Sequence, residues 1–114
     1  MTLRLALLLA PLTLAAACSP QTPQEKQAEQ IRDQADAQGD AIEAAAGNEA
    51  AQMEEQAASL VNQAGTSQSY DAQRLNVQAE ALRKEAELVK EQAEARAKAV
   101  RDQGQAQASA LLAQ

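Results

Sequence analysis

Cys18 is the only cysteine in a chain of 114 residues. A lone thiol can act as a nucleophile or take a covalent modification, but it cannot close an internal disulfide. The other residue types that carry chemistry are absent or badly placed for it. There is no histidine and no tryptophan or phenylalanine, so imidazole bases, metal-ligand clusters and aromatic platforms are missing. Carboxylates are plentiful, and Glu54-Glu55 stand side by side, but on a solvated helix nothing desolvates them to shift a pKa. The four glycines, Gly39, Gly47, Gly65 and Gly104, are isolated from one another, which rules out a phosphate-cradling loop. The chain is acidic, and the basic residues of its second half are flanked by Asp or Glu, which cancels a phosphate-binding stripe. The sequence therefore predicts no catalysis, no metal or cofactor, no small-molecule substrate and no nucleic acid. Tyr70, the single aromatic residue, reads as a local packing residue at a turn.

Cys18 closes a segment unlike the rest. Met1 to Arg4 is a short basic start, Leu5 to Leu14 is an almost unbroken Leu/Ala run, and Ala15, Ala16 and Ala17 lead to the cysteine. This is the layout of an export signal. The apolar run from Leu5 to Ala17 contains Pro11 and falls short of the roughly 20 residues a helix needs to cross a bilayer. Leu14-Ala15-Ala16-Ala17-Cys18 resembles the lipobox of bacterial lipoproteins, with Ala15 where that motif usually has Leu and with Leu14 one step earlier. The resemblance implies that residues 1–17 are a signal peptide and that Cys18 becomes the lipidated first residue of the mature chain. It also implies a diacylglycerol thioether and an N-acyl chain. Two or three hydrocarbon chains make attachment stable where one is marginal. Ser19, rather than Asp, follows the cysteine, which by the enterobacterial sorting rule implies the outer membrane.

What the lipid would anchor must be built from 24 alanines, 17 glutamines and few large aliphatics. After Cys18 these are Ile31, Ile42, Met53, Leu60, Val61, Leu75, Val77, Leu82, Leu88, Val89, Val100, Leu111 and Leu112. At roughly 1.5–3 kcal/mol per buried side chain they cannot offset the ordering entropy of a compact monomer. The filler, however, is Ala, Gln, Glu, Lys and Arg, all strong helix formers, and no proline follows Pro23. Thr22-Pro23-Gln24-Glu25 has a hydroxyl N-cap, Pro at the first helical position and Glu three residues after the cap. Residues 18–22 thus form a short stalk and an acidic helix runs over 23–64. Gly65 suits a left-handed cap, and Thr66, Ser67 or Ser69 could cap a second helix, so 65–69 is read as a turn and 70–112 as a second helix.

Spacing and charge fit two long arms. Steps of eleven from Ile31 reach Ile42, Met53, Ala64, Leu75, Ala86, Ala97 and Ala108, a period that keeps a helix face nearly straight. A heptad also runs through Leu75, Ala79, Leu82, Ala86, Val89 and Ala93, is interrupted by Arg96 and resumes at Val100. The expected helix-contact seam is Ile31, Ile42, Met53, Leu60, Leu75, Leu82, Val89 and Val100. From Ser19 to Tyr70 two cations stand against nine carboxylates, whereas Asp71 to Gln114 balances seven against seven. That asymmetry favours antiparallel arms, and Glu80/Lys84 and Glu94/Lys98 are spaced for i, i+4 pairs. Gly39, Gly47 and Gly104 read as costs of about 1 kcal/mol each against alanine.

The expected fold is all-α: a pair of long helices, as an antiparallel hairpin or coiled-coil rod, with no globular core. The lipobox and the style of the helix resemble the murein lipoproteins, which implies a lipid-anchored periplasmic protein with a structural, spacing or tethering role. That family attaches to peptidoglycan through a C-terminal lysine. This chain ends Leu111-Leu112-Ala113-Gln114 and its last lysine is Lys98, so the resemblance implies non-covalent tethering alone. The expected partners are the membrane, through the lipid on Cys18, and either a second copy or another helical envelope protein. In the second case the protein is an adaptor that docks through its Ala-rich seam. A membrane-coating amphipathic helix fits less well, because the apolar stripe is thin and the surface acidic.

Overall fold

The computed structural model describes residues 20–114, which form two helices, α1 (Pro23–Ala64) and α2 (Ser69–Leu112), packed along each other as an antiparallel hairpin. The helix start expected at Thr22–Pro23 forms through its capping box. The Thr22 N–H donates to Glu25 Oε2 at 2.6 Å, and the Glu25 N–H donates back to Thr22 Oγ1 at 3.2 Å. Two amide hydrogens that the first turn leaves without helical acceptors are satisfied in this way.

The turn is built differently from expectation. Gly65 is right-handed, with φ −63° and ψ −20°, and no described residue has positive φ. Side-chain hydroxyls remove the need for a left-handed cap. Thr66 Oγ1 and Ser67 Oγ donate to the Gln63 carbonyl at 3.1 and 2.7 Å, and the Thr66 and Ser67 amides donate to the carbonyls of Gln63 and Ala64. These hydroxyls close α1 and therefore do not cap α2. The second helix begins at Ser69, with Gln68 as an extended N-cap that makes no side-chain hydrogen bond. Tyr70 does not pack at the turn, being 79% exposed.

The centre of the contact between the arms is built of small residues alone. Buried along α1 are Ala28, Ala35, Gly39, Ala46, Ala50, Ala57 and Ala64, and along α2 Ala79, Ala86, Ala93, Ala97, Gly104 and Ala108. Counted outward from the turn, both sets step seven, seven, four, seven, four, so the two contact lines mirror each other. These steps average about 3.6 residues per turn, the period of a straight helix, which keeps each line facing its partner without strong supercoiling. No large side chain is fully buried. The eleven-residue period is thus present, but in α1 its buried phase lies three residues before Ile31, Ile42 and Met53. Close axes leave room at the centre for a methyl group or a hydrogen and nothing larger.

Gly39 and Gly104 are the tightest points. A Cβ on Gly104 would lie 2.3 Å from the Cβ of Ala35, and one on Gly39 would lie 2.7 Å from Arg101 Nε. Both read as costs in the sequence, yet Gly104 lets the arms approach and Gly39 makes room for the Arg101 guanidinium. Gly47 has nothing within 4 Å of an added Cβ and matches the simpler reading.

Candidate functional site

Cys18 and the lipobox residues Leu14, Ala15, Ala16 and Ala17 lie outside the described residues. The hairpin itself offers two unlike flanks beside the seam. The expected contact residues Ile31, Ile42, Met53, Leu60, Leu75, Leu82, Val89 and Val100 are all half-buried, and they border the alanine seam without filling it. All but Leu75 stand three residues after a buried seam position, as Ile42 follows Gly39 and Val89 follows Ala86. Shallow grooves on this flank are shared between the arms. One is lined by Ile31, Ala35, Val100 and Gly104, the next by Ile42, Ala46, Val89 and Ala93.

The other flank is ionic and carries the clamp between the arms. Arg101 of α2 donates from Nη1 to Glu43 Oε1 at 2.9 Å and from Nη2 to Asp40 Oδ1 at 2.8 Å, with Asp36 Oδ1 4.0 Å from its Nε. Asp36, Asp40 and Glu43 follow at intervals of four and three, which aligns them on one face of α1. Gly39 lies among them, and its missing side chain lets the guanidinium lie flat across the helix. Eleven residues nearer the turn, Lys90 Nζ donates to Glu54 Oε1 at 2.8 Å. Both clamps set cations of α2 on carboxylates of α1, in the sense the charge asymmetry predicts. The expected pairs Glu80/Lys84 and Glu94/Lys98 do not form among the described residues, and Lys98 pairs with Asp102 instead. Sequence reasoning missed Arg101. Its signal is three carboxylates spaced four and three apart around a glycine in an otherwise alanine-rich helix.

The hydrogen bond from Arg101 holds the Glu43 carboxyl below its ordinary value of 4.5, and the bond to Glu54 raises the Lys90 ammonium above its ordinary range. A carboxyl whose folded value is lowered stabilises the fold above its unfolded pKa, and that contribution is lost as pH falls through the folded value. The melting temperature of Glu43→Gln should therefore lie below that of the native chain at pH 7. The gap should close as pH is lowered below 4.5, as followed by circular dichroism melts at a series of pH values. A gap independent of pH would show that Glu43 acts through packing and not through its charge.

Among the described residues no cluster of His, Cys, Asp or Glu could hold a metal ion, and no helix is long and apolar enough to cross a membrane. The Ala-rich line through which an adaptor was expected to dock is covered by the opposite arm, so a partner protein must meet another surface. Such a surface exists on the outer side of α2, where Tyr70, Val77 and Leu88 are exposed. No family model matches the chain, and comparison with curated proteins and with solved structures finds no match.

Proposed function

We propose that this chain is a lipid-anchored helical envelope protein with a structural, spacing role, held in the outer membrane by Cys18 and facing the periplasm. The observation that supports this reading most is the position of the ends. Gln21, at the start of the described chain, shares a groove with Leu112, the last residue of α2, so both ends of the hairpin lie together. The turn lies at the other extreme, about 63 Å away for a helix of 42 residues. A lipid on Cys18 therefore puts both ends at the membrane and presents the turn at a fixed height above it. A seam of alanine and glycine suits that task, since it gives length and straightness and leaves no cavity for a ligand.

The test is to shorten the hairpin in the cell that makes it. Removing residues 44–54 and 89–99 together takes one eleven-residue period from each arm, preserves the seam spacing and the Arg101 clamp, and shortens the rod by about 16 Å. The expected result is a matching narrowing of the gap beneath the outer membrane, measured by electron cryotomography. A shortened chain that is folded and membrane-bound but leaves the gap unchanged rejects the spacer. It would favour the second reading, an adaptor for another envelope protein, which the exposed row Tyr70, Val77 and Leu88 supports.

A further inference from the structure

The larger aliphatic residues form a second surface whose chemistry is matched to itself. In α1, Ile31, Ile42, Met53 and Leu60 each stand three residues after a buried Ala28, Gly39, Ala50 or Ala57. In α2, Leu82, Val89, Val100 and Leu111 each stand three residues after a buried Ala79, Ala86, Ala97 or Ala108. Three residues carry a side chain about 60° back round a helix axis. Because the arms run antiparallel and face each other, the same offset in both puts the two rows on one flank of the hairpin. The shared grooves agree, one holding both Ile31 and Val100 and the other both Ile42 and Val89. The Arg101 and Lys90 clamps belong to the opposite flank, where Glu43, Lys90 and Arg101 line a groove of their own.

Polar residues in these rows follow the same rule. Gln38 and Glu49 stand three residues after Ala35 and Ala46, and Gln107 and Arg96 stand three after Gly104 and Ala93. Gly104 lies against Ala35, which sets the level of the two arms. Each aliphatic of one row then lies within about one turn of an aliphatic in the other. Gln38 and Glu49 lie within about two turns of Gln107 and Arg96, an offset long side chains span as Lys90 and Glu54 do on the opposite flank. Glu49 and Arg96 line a single groove, yet among the described residues neither takes part in an ion pair.

We propose that this flank is covered by a second copy of the chain, related by a twofold axis parallel to the length of the hairpin, so that the pair forms a four-helix bundle. A half-turn about that axis lays α1 of each copy on α2 of the other, with the two turns at the same end. Ile42 then meets the partner's Val100, Met53 the partner's Val89 and Leu60 the partner's Leu82, while Glu49 gains the partner's Arg96. The alternative twofold, perpendicular to the hairpin, lays α1 on α1. That would oppose two segments carrying nine carboxylates and two cations each, an electrostatic mismatch of the kind that rejects wrong partners. The size is sufficient as well. A strip about 45 Å long and two helix diameters wide covers on the order of 900 Å² per copy, against about 800 Å² per partner in a standard stable interface. The inference does not rest on the lipid anchor, although parallel hairpins would keep two anchors at one membrane.

The test is disulfide trapping in the full-length chain. Ile42→Cys and Val100→Cys variants carrying different tags are made together, and isolated membranes or lysate are oxidised with copper phenanthroline. The expected product is a disulfide that joins the two tags, several-fold above that from Ile42→Cys paired with Lys98→Cys on the opposite flank. Absence of the mixed product, or equal yield at Lys98, overturns the proposal. A second measurement guards against a perturbed fold: by native mass spectrometry, Glu49→Arg and Arg96→Glu should each weaken the dimer about tenfold or more. The double exchange should restore it, and a double exchange as weak as either single change overturns the pairing. A product that joins Cys18 instead would show that this thiol is free, a failure of the anchor and not of the dimer.

Discussion

Gly104→Val should lower the melting temperature of the hairpin by more than about 10 °C, the largest loss of stability expected from any one uncharged substitution in the seam. The atom that a side chain at Gly104 would meet first is the Cβ of Ala35, 2.3 Å from the position of the new Cβ, with the Ile31 carbonyl oxygen at 3.4 Å. Neither is the free end of a flexible chain, so the clash can be relieved only by moving the helices apart. Separation is costly here because every other contact on the line is an alanine or Gly39, none of which can extend across a wider gap. Overpacking costs roughly 1–3 kcal/mol in ordinary cores, and a seam without long side chains lies at the upper end. Gly104→Ala should lose less, since alanine returns about 1 kcal/mol of helix propensity. Gly47→Ala, with open space around it, should gain about that amount and serves as the control. Thermal melts by circular dichroism decide the matter, and a Gly104→Val chain as stable as the native one would mean that the arms do not meet at this point. Restored stability in Ala35→Gly combined with Gly104→Ala would tie the loss to this one contact.

Gly104 also shows what could be read from sequence and what could not. The two long arms, the capping box at Thr22 and the eleven-residue period follow from local rules, because helix propensity, caps and repeat length act within a few neighbouring residues. The phase of the buried line does not follow from them. Hydrophobicity favours Ile31, Ile42 and Met53 as the contact residues, and they do border the contact, but close axes give its centre to smaller neighbours. A glycine in a helix looks like a loss until the opposite arm is known, and only then does its missing Cβ become the reason the arms can touch. The Gly65 turn went astray for a related reason. Hydroxyls of Thr66 and Ser67 can satisfy either the helix behind them or the helix ahead, and the sequence does not say which. Arg101 was hidden because its three carboxylates lie on the other arm, some sixty positions away in the chain.

Replacing Cys18 with serine should abolish membrane attachment of the mature chain, an all-or-none effect larger than any change in the hairpin. Among the described residues nothing would replace the proposed lipid. Among the described residues no helix is long and apolar enough to span a bilayer, and α1 is acidic, which an anionic membrane surface repels. The aliphatic flank is a narrow row of half-buried side chains, less apolar than surface-bound helices require. Each buried methylene of an acyl chain contributes about 0.8 kcal/mol, so the two or three chains proposed for Cys18 would outweigh the exposed apolar residues of the hairpin. A serine hydroxyl cannot form the thioether that carries the diacylglycerol. The native chain should take up a palmitate label and partition into the detergent phase of a cloud-point separation. The Cys18→Ser chain should take up none, and its mature form should stay in the aqueous phase with the helical signal of the hairpin unchanged. Because the lipid and the hairpin are separate parts, the two readouts should move independently. A labelled Cys18→Ser chain, or an unlabelled native one, would remove the anchor from the proposed function and leave the hairpin to be explained by its partners alone.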